Sequence, residues 1–222
     1  MTRKLFASAA LALTCASVAS VAYAETEISF YGGWQTSPHS ILTGNLPGVG
    51  AIRKRIGWDG KSFTMPPYYG GRVTFWNGND TGWGFELSHD KAYAGGDMAP
   101  EFSRLEFTDG HNIITVNYSK RWTNKWKTFT PYASVGLGVA LPHVDITPAV
   151  GTSAGTHTYG YQLTGPAIRL TAGASYDLNE RWKLFSEYQF TASDNDVDLD
   201  GGGDLHTRLI TNAINFGVSY GF

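Results

Sequence analysis

The chain has 222 residues, 17 basic and 19 acidic, for a net charge of −2, and a mean hydropathy of −0.21. This balance offers no basic surplus to a phosphate backbone, so nucleic acid is excluded as a partner. Aromatic residues make up 14% of the chain and glycines number 27, yet beyond residue 24 no apolar run is long enough for a transmembrane helix.

Residues 1–24 read as a secretory leader. Arg3 and Lys4 precede an apolar stretch from Leu5 to about Ala22, and Ala22-Tyr23-Ala24 supplies small residues at the cleavage positions. The predicted mature domain is 25–222, with 15 basic residues against 19 acidic. The only cysteine, Cys15, falls inside the leader, so thiol chemistry and disulfides are excluded from the mature domain.

Beyond the leader, apolar and polar residues alternate. Ile28, Phe30 and Trp34 mark a first strand, Tyr69, Val73 and Phe75 a second, and Trp83, Phe85 and Leu87 a third. Ile114–Tyr118, Phe129–Val139, Ile168–Tyr176 and Trp182–Phe190 give four more. The last, from Leu209 to Phe222, puts Ile214, Phe216, Val218, Tyr220 and Phe222 on one face. Ala213, Asn215, Gly217, Ser219 and Gly221 lie on the other. Large apolar residues alternating with small or polar ones describe a wall with lipid outside and a lumen inside. The prediction is all-β: an eight-stranded antiparallel transmembrane β-barrel with short periplasmic turns and long extracellular loops. Its terminal Phe222 is similar to the signal read by the barrel-assembly machinery, which places the chain in the bacterial outer membrane. A monomer is expected.

Short links at 77–80, 121–125 and 177–180 alternate with long ones at about 37–65, 92–110, 142–162 and 192–206. Trp122, Trp126 and Trp182 fit an aromatic girdle beside the short links. Eight strands enclose too little space for a pore. Arg72, Glu86, Arg169, Glu187 and Gln189 fall on inward positions and are expected to fill the lumen as an ion-pair and hydrogen-bond network.

All six histidines map to the long-loop side. His39, His89 and His143, with Asp90, are the candidate metal ligands and catalytic residues at the outer mouth. Spacing alone favours the alternative that these are rim residues hydrogen-bonding to loops, since no pair shows the H-x-x-x-H spacing. Ser88-His89 and His39-Ser40 cannot act as nucleophile–base couples by themselves, because adjacent strand residues face opposite ways. Arg53, Lys54, Arg55, Lys61 and Lys91 are candidate holders of the acidic groups of lipopolysaccharide, an ordinary solvated patch being the alternative. Asp194, Asp196, Asp198, Asp200 and Asp204 read as a hydrophilic loop, with divalent bridging to lipopolysaccharide as the lesser alternative.

Several segments together resemble one family. Tyr31-Gly32-Gly33-Trp34-Gln35-Thr36-Ser37-Pro38-His39-Ser40, Gly57-Trp58-Asp59-Gly60-Lys61-Ser62-Phe63, Pro66-Pro67-Tyr68-Tyr69-Gly70 and His89-Asp90-Lys91 look like the lipid A oxidases of rhizobia and other α-proteobacteria. The resemblance covers most of the mature chain and is densest from about 28 to 94. It implies an enzyme that uses O₂ to oxidise the proximal glucosamine of lipid A to 2-aminogluconate, stimulated by a divalent metal ion. The alternative is a non-catalytic small barrel of the opacity-protein or OmpA type, serving adhesion or envelope integrity.

Overall fold

Side chains of a strand point alternately to its two faces, and the predicted strands close into a ring on that basis. The computed structural model describes residues 25–222 apart from 96–98, 124, 125 and 127. The predicted leader, with Cys15, lies outside the described residues. The elements are β1 (Glu25–Leu46), β2 (Gly50–Asp59), β3 (Tyr69–Trp76), β4 (Thr81–Ala94) and β5 (Phe102–Arg121), followed by β6 (Thr130–Pro148), β7 (Thr158–Tyr161), β8 (Gly165–Asp177), β9 (Trp182–Asp198) and β10 (Asp204–Gly221). All pairings are antiparallel, and β1 pairs with β10 from Glu27↔Gly221 to Asn45↔Asp204, so the first and last strands close the sheet into a ring.

Ten strands fill eight places in the wall. The lower half of β1 pairs with β3 and its upper half with β2, so β2 and β3 share one place with 60–68 between them. Likewise β6 pairs with β8 below and β7 above. At both breaks a glutamine amide does a strand's work. Gln35 accepts from the backbone N–H of Lys91 (3.1 Å) and donates to its carbonyl (2.5 Å). Gln162 does the same at Asp198 (3.0 and 2.9 Å). A primary amide carries the same donor and acceptor pair as a peptide group, which suits it to this role.

The outward faces of the lower strands are apolar and bare: Phe30 is 64% exposed, Trp34 67%, Leu137 67% and Phe216 66%. A closed ring of antiparallel strands presenting such a belt is a transmembrane β-barrel. The inward faces carry the expected network. Glu86 accepts from Tyr31 (2.6 Å), Asn117 (2.5 Å) and Gln189 (2.8 Å) and lies 3.4 Å from Arg169. Arg72 pairs with Glu187 at 3.0 Å, and Arg169 donates to Ser88 and Thr115. Gly70 is required in this layer because the Tyr31 ring occupies the space a Cβ would take.

The long excursions are not loops for most of their length. The barrel strands continue outward, and β1 runs for 22 residues, twice the 9–11 that cross a bilayer. Beyond the belt the polarity of the wall reverses. Leu42, Leu46, Ile56, Phe107, Val144, Ile146, Leu205 and Leu209 face inward and form an apolar core, while Arg53, Arg55, His206 and Arg208 point out. The outer end of the barrel is thus a turret packed like a soluble protein around this core.

Candidate functional site

The four predicted metal ligands do not converge. His89 follows inward Ser88 and precedes inward Asp90, so it faces outward, 5% exposed, stacked on Tyr69 with centroids 5.0 Å apart. Asp90 faces the lumen and accepts from Thr211 at 2.9 Å. His143 faces outward on β6, edge-on to Tyr159 (4.4 Å) and Tyr161 (4.8 Å). His39 is exposed on β1, within a register shift between Thr36 and Leu42 and on the far side of the ring from β6. Among the described residues no group of three or more His, Cys, Asp or Glu side chains is placed to hold a metal ion. The physical reason is pleating: neighbours such as His89 and Asp90 lie on opposite faces of the wall. The divalent ion expected for these ligands therefore has no fitting donor set at them. The aspartates of β9 are also spread along a strand, Asp194 pairing with Arg208 and Asp196 with His206, both at 2.7 Å.

The five basic residues separate into groups. Arg53 and Arg55 are exposed on the outward face of β2, whereas Lys54 shares the face of Ile52 and Ile56 and pairs with Glu101 at 2.6 Å. Lys61 and Lys91 come together over one ring, their Nζ atoms 4.3 and 5.3 Å from the centroid of Tyr93.

That ring lies at the break in the second wall strand. The hydroxyl of Ser62 accepts from the backbone N–H of Gln35 (2.9 Å) and donates to its carbonyl (3.1 Å), capping the edge of β1 that β2 and β3 leave open. Lys91, outward by alternation with Asp90 yet fully buried, donates to the carbonyls of Thr64 (2.5 Å) and Pro66 (2.6 Å). Segment 60–68 is therefore a flap over the outer side of β4 at Lys91 and Tyr93, which are at most 7% exposed, while the outward-facing His89 lies under the ring of Tyr69. Its tip is bare, Phe63 at 78% and Met65 at 80%. Gln35, Ser62 and Tyr93 were not singled out as site residues by sequence reasoning. Only the motif context of the first two could have flagged them, because the contact that matters joins strands far apart in the chain.

Two other features complete the geometry. Asp90 and His111 are direct cross-strand partners facing inward, and His111 Nε2 lies 3.0 Å from Asn195 and 3.1 Å from Ser193. This polar layer separates the lumen network from the turret core. At the end carrying the short turns, a cavity of about 480 Å³ is lined by Arg72, Trp76, Tyr132, Phe185 and several serines. Its rim is held by Glu25, which accepts from Lys183 and Arg121 at 2.7 Å each. Burial alone would raise the Glu25 carboxyl, but these two cations hold it below the usual carboxylate range.

No family model and no curated protein matches the chain. Among solved structures it is similar to Neisserial surface protein A, at 12% identity over 88% of this chain and 95% of that one, with a TM-score of 0.48. It is also similar to the attachment invasion locus protein Ail of Yersinia pestis (12%, 89% and 98%, TM-score 0.37). A third is the N-terminal β-barrel domain of Pseudomonas aeruginosa OprF (15%, 89% and 97%, TM-score 0.39).

Proposed function

We propose that this chain is a bacterial outer-membrane barrel that engages lipid A of the outer leaflet through the lipid-facing site at its interrupted second strand. One observation carries this reading. The segments that resemble lipid A oxidases are separated by up to about 60 residues, yet Gln35, Lys61, Ser62, Tyr69, His89 and Lys91 gather there. Such a site presents the exposed ammonium of Lys61 toward the headgroup layer, where the phosphates of lipid A lie, with Lys91 and Gln35 holding the flap beneath it. The lumen, with its charges paired, and the turret, with its apolar core, offer no comparable access.

The resemblance supplies a reaction: O₂-dependent oxidation of the proximal glucosamine to 2-aminogluconate. The second reading, a non-catalytic barrel for adhesion or envelope integrity, is favoured by the dispersal of His39, His89, Asp90 and His143. Mass spectrometry of lipid A separates them, in a host that supplies 1-dephosphorylated lipid A, with and without the protein. An oxygen-dependent gain of one oxygen atom supports the oxidase. Unmodified lipid A beside a correctly assembled barrel leaves the structural role.

A further inference from the structure

The flap between β2 and β3 leaves and re-enters the wall at the level of the apolar belt. Gly60 lies beside Gln35, and Tyr69 pairs with Gly32, so the excursion brackets Trp34, itself 67% exposed. At that level the wall meets lipid rather than water. Yet while Tyr68 turns into the lumen, the tip of the flap turns Phe63 and Met65 away from the protein, the most exposed large hydrophobics of the described residues. Standing in water, each would forgo the transfer free energy that apolar surface gains in lipid. They are continuous with a surface that is already lipid-facing.

The flap is also held in this pose rather than left slack. Ser62 is clamped to the backbone of Gln35, the N–H of Tyr68 donates to the carbonyl of Ser62 at 2.8 Å, and Lys91 grips two flap carbonyls from beneath. Lys61, at the near end of the turn, adopts φ +36°, a conformation that L side chains rarely take. That backbone sets its ammonium against the face of Tyr93, on the ring that Lys91 also approaches. Lys61 remains exposed, and its position beside the flap tip is where a lipid phosphate would lie if the tip entered the acyl layer.

We infer that the tip of flap 60–68 is inserted in the membrane, with Phe63 and Met65 in the acyl chains of the outer leaflet and Lys61 bound to a phosphate of a lipid headgroup. The inference rests on the lipid-facing reading of this site and adds the depth of the flap and the anion it holds.

The test uses the full barrel, which has no cysteine in residues 25–222. Nitroxide labels are placed singly through Met65→Cys, Phe216→Cys on the belt and Val49→Cys at the tip of the β1–β2 hairpin. Assembly is checked by heat-modifiable gel migration. In phosphatidylcholine nanodiscs the label at 65 should match that at 216, with high collision rates with O₂ and low rates with an aqueous nickel chelate. A label at 65 that behaves like the one at 49 overturns insertion.

Replacing part of the phosphatidylcholine, whose phosphate is paired with choline, by a lipid with a phosphate monoester (phosphatidic acid) should immobilise the label at 65, and Lys61→Gln should abolish that change. Inorganic phosphate in the buffer should not reproduce it. No response to phosphatidic acid, or an equal response to free phosphate, overturns the headgroup assignment. Lipid A oxidation is scored on the same variants. Oxidation without insertion refutes the flap inference alone, and insertion without oxidation refutes the oxidase alone.

Discussion

Replacing Gln35 by Leu keeps the side chain's approximate size and removes both hydrogen bonds that bridge β1 to the backbone of Lys91. Lys91 is fully buried at a place where no strand pairs with it, so its N–H and carbonyl would be left without partners. Each stranded buried group costs about 1–3 kcal/mol, which makes the local penalty roughly 2–5 kcal/mol once partial relaxation is allowed for. Closure of the flap depends on the same strand, because Lys91 also holds the carbonyls of Thr64 and Pro66. Hydrogen exchange of the Lys91 amide, followed by mass spectrometry on the assembled barrel, reads the effect directly. At about 1.4 kcal/mol per tenfold, exchange there should accelerate by about 30- to 4,000-fold, with amides of the β9–β10 ladder unchanged. An unaltered rate at Lys91 would show that Gln35 does not stand in for a strand. A uniform acceleration would show a global loss of stability instead.

Glu86→Ala should destabilise the barrel by about 3–5 kcal/mol, because it leaves the fully buried Arg169 without its carboxylate. Urea unfolding in lipid measures this, and Arg208→Ala, at an exposed pair, should leave the midpoint in place; equal effects of the two would refute the lumen assignment. The short-turn rim should weaken in acid. Glu25 and Asp80 have carboxyl groups held below their usual range. Burial opposes this in both, and the cations Lys183 and Arg121, with Thr123 at Asp80, outweigh it. Groups depressed on folding contribute stability fully above their unfolded pKa of about 4 and lose it as pH falls through the lower folded value. Protection factors at residues 77–81, with the intrinsic exchange rate divided out at each pH, should therefore be constant near neutrality and fall only below about pH 4. A fall already near neutrality would contradict the assignment.

Much of the fold was legible in the chain because a membrane wall imposes a period of two. The faces of Leu209–Phe222 and the inward set Arg72, Glu86, Arg169, Glu187 and Gln189 appear in the structure as the alternation required. The long excursions were legible as excursions but not as strands. Outside the bilayer the apolar face turns inward, so Leu42, Ile56 and Leu205 continue the alternation with the opposite meaning.

The site was legible in part. Lys61, Lys91 and His89 could be named from their residue types, but their partners could not. Pleating separated His89 from Asp90, which adjacency in the chain had joined, and ring order placed His39 and His143 on opposite sides. By itself the sequence determined the barrel, its lipid-facing and lumen-facing sides within the membrane and the content of its lumen, since each comes from local alternation and the solvent on either side. Only the tertiary structure decided where the second strand breaks, that Gln35 spans the break, and that segments up to about 60 residues apart meet over Tyr93. Those contacts run between strands, and no local pattern in one strand encodes which residue of another will face it.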